Sequence, residues 1–120
     1  MKIAISTTGD DLDAPLDGRF GRAKNFLIYD TGTGKFYIKN NEQNLNAAQG
    51  AGIQAAQNVV NEEVKAVITG HAGPKAFRVL NEAGVLVYGT ELPTVQQAID
   101  AYKNGSLKAL DNADVEGHWS

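Results

Sequence analysis

Short apolar runs alternate with stretches of helical spacing along most of this chain. The run from Lys2 to Ser6 reads as a buried strand, followed by a long polar loop from Thr7 to about Lys24. Phe26-Leu27-Ile28-Tyr29 and Phe36-Tyr37-Ile38 flank Thr31-Gly32-Thr33-Gly34, a spacing that predicts a hairpin. In its second arm Lys35, Tyr37 and Lys39 alternate with Phe36 and Ile38, the pattern of an edge strand with one wet face. Asn46 and Gln49 have capping-box spacing, and Ile53, Ala56, Val60 and Val64 continue it as a helix. The run Ala66 to Thr69 predicts a strand. A helix opening at Pro74 then carries Phe77, Leu80 and Ala83 on its inner face and stops at Gly84. Val85 to Tyr88 predicts the last strand. Thr94 with Gln97 opens a final helix with Val95, Ala98, Ile99 and Tyr102 on one face and Gly105 beyond its end.

The element order is therefore β-β-β-α-β-α-β-α. Strands alternating with helices in the second half imply parallel strands joined by right-handed crossovers, and the first half adds an antiparallel hairpin at one edge. This predicts a three-layer α/β domain with a mixed five-stranded sheet over residues 1–107, and a loosely attached tail over 108–120. There are no internal repeats.

Composition narrows what such a domain does. The chain has 120 residues, enough for one hydrophobic core, and a net charge of −3 without any Lys/Arg-rich run. A broad nucleic-acid or anionic-membrane footprint is not expected. With no cysteine there is no disulfide framework and no thiolate to hold zinc or an iron–sulfur cluster. The amino terminus turns polar too soon for a signal sequence, and no apolar run reaches transmembrane length, so a cytoplasmic protein is expected.

The densest chemistry lies in Gly70-His71-Ala72-Gly73-Pro74-Lys75, a strand-to-helix turn. Pro74 at the first helical position gives up only an N–H without a helical partner, and the helix start favours an anion. Lys75 adds a charge, and His71 an imidazole able to donate, accept or ligate. In open α/β sheets ligands bind beyond the carboxyl ends of the parallel strands. That edge gathers the loops Thr7–Lys24, Gly70–Gly73 and Gly89–Pro93, with Ser6, Thr7, Thr8, Gly9, Arg19, Arg22, His71, Lys75 and Thr90. Together they describe a pocket for a small anion. The plainer reading is that Arg19 and Arg22 pair with Asp10, Asp11, Asp13 or Asp17 and brace the loop.

Other motifs are weaker. Gly50-Ala51-Gly52-Ile53-Gln54-Ala55 fits G-x-G-x-x-A, but a polar loop separates it from the preceding strand, and the following acidic residue is missing. Small residues that let the helix approach its neighbours closely are the better explanation. Gly70–Lys75 lacks Walker spacing, no G-x-S-x-G occurs, and His71 and His118 are too few for a metal site of known spacing. The carboxylates of Asp10, Asp11 and Asp13 read as solvated loop charges.

Leu16 to Asp30, L-D-G-R-F-G-R-A-K-N-F-L-I-Y-D, and Gly70 to Val85, G-H-A-G-P-K-A-F-x-x-L-x-x-A-G-V, resemble the dinitrogenase iron–molybdenum cofactor biosynthesis family. This is the family of NifX-type carriers and the NifB carboxy-terminal domain, and the resemblance spans Lys2 to about Leu107. It implies a ribonuclease-H-like fold and a noncatalytic carrier or scaffold for a small anionic metal–sulfur cluster or thiometallate. The cargo so implied is an iron–molybdenum cofactor precursor, or a molybdenum–copper sulfide like the one held noncovalently by the orange protein of sulfate reducers. The carry-over rests on Arg19, Phe20, Gly21, Arg22, Gly70, His71, Gly73, Pro74 and Lys75, with His71 as the direct metal ligand. Nitrogenase carriers often have His where Arg19 stands, which shifts weight from ligation to charge pairing, a role that suits Arg. Implied partners are the cluster itself and cluster-assembly proteins or a P-loop ATPase, with the chain a monomer or homodimer. Two other functions compete: an interaction module for a cluster-handling ATPase, and a phosphoryl-transfer or nuclease enzyme. The enzyme would need an acidic cluster at the strand ends, where only Asp30 stands.

Overall fold

A computed structural model describes residues 1–41 and 50–110. The apolar runs become β1 (Lys2–Thr7), β2 (Asn25–Asp30), β3 (Phe36–Asn40), β4 (Ala66–Thr69) and β5 (Leu86–Gly89). Between them lie α1 (Ala51–Val60), α2 (Pro74–Glu82) and α3 (Val95–Lys103), with a 3-10 turn at Phe20–Arg22. The strands form one sheet in the order β3-β2-β1-β4-β5. The pairs β1–β2 and β2–β3 are antiparallel, while β1–β4 and β4–β5 are parallel. The mixed five-stranded α/β sheet expected from the element order is present.

Alternation along the strands divides the core into two layers. Ala4, Phe26, Ile28, Val67 and Val87 face α1 and α2, whereas Ile3, Ile5, Leu27, Tyr29 and Ile68 face α3. The inner face of α1 is Ala51, Gly52, Ala55, Ala56 and Val59, so small residues let this helix settle close to the sheet. The helix stops at Val60, short of the expected Val64. Asn61 caps it, Glu63 takes a positive φ of 61°, and Val64 enters the core from the following turn. The capping pair Asn46 and Gln49 lies outside the described residues. The described start of α1 has Gly50 as its N-cap, in the left-handed region, without a side-chain cap.

Two further details depart from expectation. Phe36 alternates for a covered face but is exposed, because α3 packs over β1 and the core on its side reaches Ile38 but not the start of the outermost strand. Ala83 is exposed, since α2 ends at Glu82 and Gly84 reverses the chain with a φ of 77°. The capping box at Thr94 forms as expected, its hydroxyl accepting the Gln97 N–H at 3.2 Å. After α3 the chain returns to the sheet: Ala109 bridges Tyr88, and the Leu110 N–H donates to Val87 O at 2.7 Å. His118 and Trp119 lie outside the described residues. Among the described residues no helix is long and apolar enough to cross a membrane.

Candidate functional site

The connections decide where the helices point. Helix α2 follows β4 and so starts at that strand's carboxyl end, and α1, which runs back to feed β4, starts at the same edge. Both have glycine N-caps, Gly50 and Gly73, with no side-chain hydrogen bond at the cap. Helix α3 starts there too but is closed by Thr94. Two helix starts that lack a side-chain cap, each the positive end of a peptide dipole, thus face the edge beyond β1 and β4.

The long loop after β1 is tied to that edge by buried polar groups. Ser6 Oγ donates to Asp17 O at 2.7 Å and shares a 2.8 Å hydrogen bond with Thr69 Oγ1, joining the ends of β1 and β4 to the loop. Thr7 Oγ1 donates to Pro15 O at 2.7 Å, and the Leu16 N–H donates to Pro93 O at 3.0 Å. The buried Asp17 carboxylate accepts the Arg19 N–H at 2.9 Å and sets the turn into the next segment. There Arg19 forms a parallel bridge with His71, and the Phe20 N–H donates to His71 O at 3.1 Å. The loops carrying Arg19 and His71 therefore lie side by side.

Glycines make this approach feasible. A Cβ on Gly70 would stand 2.5 Å from Gly18 Cα and 2.6 Å from its carbonyl oxygen, so backbone passes directly over backbone. A Cβ on Gly21 would stand 3.0 Å from both Gly52 Cα and Gly52 N, which brings the 3-10 turn onto the first turn of α1. Phe20 is 1% exposed and packs 5.1 Å, centroid to centroid, from Phe26. Its side chain belongs to the core, where it anchors the turn that presents Arg19 and Arg22.

Arg19 itself is exposed, and its guanidinium makes no ion pair or hydrogen bond among the described residues. Bracing by Asp17 is realised through the Arg19 backbone N–H, not its side chain. Arg22 and His71 are half-buried, while Pro74 and Lys75 are exposed at the start of α2. On the α3 side of the Gly18–Gly70 contact lies a cavity of 260 Å³, walled by Leu16, Gly18, Gly70, His71, Glu91 and Pro93. The nine residues carried over from the family resemblance fall on the 3-10 turn and its N-cap Arg19, or on the β4–α2 turn and the first residues of α2, and the Arg19–His71 bridge joins the two. Gly18 and Glu91 were not singled out from the sequence, and the turn pair Asp17-Gly18 was the available signal for the first of them. Among the described residues no three His, Cys, Asp or Glu side chains converge to hold a metal ion.

The fold and this edge define a small α/β domain with a glycine-built recess at the carboxyl ends of its parallel strands, and with Arg19, Arg22 and Lys75 on the adjoining segments. The chain belongs to the dinitrogenase iron–molybdenum cofactor family, whose family model matches residues 1–105. It is similar to the apo form of the orange protein from Desulfovibrio gigas, with 34% identity and a TM-score of 0.92 over 95% of this chain and 96% of that one. A candidate NifB protein from Thermotoga shares 38% identity and a TM-score of 0.83, covering 95% of this chain and 97% of its own. An uncharacterized protein of Methanocaldococcus jannaschii is 30% identical over 115 residues, 92% of each chain.

Proposed function

We propose that this protein is a noncatalytic carrier or scaffold that holds a small anionic metal–sulfur cluster or thiometallate reversibly. The observation that carries the reading is Arg19: a cation without an ion pair among the described residues, fixed through its backbone to His71 beside the start of α2. Family membership and the likeness to the orange protein support the same reading. With no cysteine in the chain, such cargo would be held by charge and hydrogen bonds and not by thiolates. Arg19, Arg22, Lys75 and the amide groups of the β4–α2 turn would supply those contacts, and His71 is the one candidate for a direct metal bond. Sulfides of such clusters accept hydrogen bonds, so the cargo can leave without breaking thiolate bonds. An iron–molybdenum precursor and a molybdenum–copper sulfide both suit this chemistry. The sheet order, with β2 antiparallel beside three parallel strands, is in keeping with the ribonuclease-H-like arrangement that the resemblance implies.

Anaerobic titration with tetrathiomolybdate, followed by visible absorption, tests the proposal. Arg19→Ala should weaken binding about tenfold at low salt, and added salt should shrink the difference as the charges are screened. Arg19→Lys should fall between, keeping the charge but losing the planar fork of donors. Equal affinity of parent and Arg19→Ala at low salt would end the charge-clamp account.

A further inference from the structure

A second cavity, of 440 Å³, lies away from the loops that gather at His71, toward the opposite end of the sheet. Tyr88 from β5, Tyr102 and Lys103 from the last turn of α3, and Leu107 form one side, with Met1 and Thr31 across from them. Its volume falls within the range of small-molecule sites, about 300–1,000 Å³.

The lining has two chemically distinct parts. Tyr88 and Tyr102 are half-buried and meet edge to face, ring centroids 5.1 Å apart. This leaves aromatic surface turned toward the cavity, where a further ring can stack or pack edge-on. Burial pushes the Tyr102 phenol above its ordinary range, with Tyr88 beside it adding to the effect. Lys103 supplies the charge. Its ammonium sits 5.8 Å from the centre of the Tyr29 ring and has no carboxylate partner among the described residues. The other cation nearby, the Met1 amino group, stands 3.8 Å from Asp30 Oδ1 and is already compensated.

Aromatic faces alone would also attract a cation, but Lys103 at the rim repels one. A bare inorganic anion would leave the ring surface unused. We propose that this cavity binds a small aromatic carboxylate, its ring against the Tyr88–Tyr102 pair and its carboxylate on Lys103. The site is separate from the cluster-carrying edge and does not depend on the function assigned there.

Benzoate is the probe, with benzyl alcohol as its neutral counterpart, titrated into the isotopically labelled full chain. Benzoate should shift the amide signals of Gly105 and Leu107 saturably while Gly70 and Ala72 stay in place. Benzyl alcohol should bind more weakly. Lys103→Met, an exposed change, should weaken benzoate binding about threefold to tenfold. Tyr102→Phe should keep the ring contact and retain most of the affinity, whereas Tyr102→Leu should lose it. Since Tyr102→Leu also disturbs packing, Lys103→Met and the neutral probe carry the decision. Shifts that never saturate, equal binding of benzyl alcohol, or unchanged affinity in Lys103→Met would overturn the proposal.

Discussion

Two loops of this protein have similar ingredients and opposite outcomes. The β2–β3 turn and the segment from Asp17 to Arg22 each contain an aspartate, two glycines and at least one cation nearby. In the hairpin the polar groups satisfy one another locally. Asp30 Oδ1 accepts the N–H groups of Gly32 at 2.8 Å and Thr33 at 3.2 Å, and also meets the Met1 amino group. In the site segment the backbone is held from a distance, by Ser6, by His71 and by close glycine contacts with Gly70 and Gly52. Its aspartate is used on a backbone N–H, which leaves the Arg19 guanidinium without an ion pair among the described residues. A self-satisfied turn closes a hairpin, whereas a segment fixed by its neighbours can present a charge.

The contrast should show most strongly in the glycines. Gly70→Ala forces a Cβ into the Gly18 backbone and should destabilise the fold by about 3 kcal/mol, read as a lower urea midpoint. Gly32→Ala meets only the Asp30 carboxylate oxygen at 3.3 Å and should change stability by less than about 0.5 kcal/mol. Equal costs would erase the distinction between the two loops.

A smaller effect is expected at the Asp17 hydrogen bond. Asp17→Ala leaves the Arg19 N–H without its acceptor and should cost about 1–2 kcal/mol in the same assay. Asp17→Asn keeps an acceptor oxygen in place and should cost less. If the two variants proved equally damaging, the carboxylate's charge, not its hydrogen bond, would be what shapes the segment.

The smallest effect is acid-linked. The Gly32 N–H, first, and then the Thr33 N–H hold the Asp30 carboxyl below its usual value near about 3.9. A depressed value means that this contribution is complete above that pH and fades as the pH falls through the folded-state value. The Asp30 carboxyl is in contact with solvent, which screens it, so the loss is slight. Comparing parent with Asp30→Asn between pH 6 and pH 3 should show a small extra acid sensitivity in the parent. No difference would mean that the turn's hydrogen bonds do not depend on the charge.

Much of this was legible in the chain. The order of strands and helices along the chain followed from the alternation of apolar runs and helical spacing, and Thr94 and Gly84 marked helix ends in the way their chemistry dictates. The meeting of Arg19 with His71 followed from the rule that parallel strands gather their loops at one edge. What could not be read was tertiary in origin. Phe36 alternates correctly for a covered face, yet coverage depends on how far α3 reaches across the sheet. The glycine pairs Gly18–Gly70 and Gly21–Gly52 join residues remote in sequence, and nothing local reveals which backbones touch. The role of Phe20 changed for the same reason, since only its packing on Phe26 shows that it anchors the turn from within the core.

The most direct test of the central claim maps an anion onto the backbone. Tetrathiomolybdate titrated into labelled protein without air should shift the amide signals of Arg19 to Arg22 and Gly73 to Ala76 saturably. The signals of Val95 to Ala98, on the helix already closed by Thr94, and of Gly32 to Lys35, in the self-satisfied turn, should move far less. Equal shifts across all four segments, or the largest shifts in the hairpin, would contradict the account.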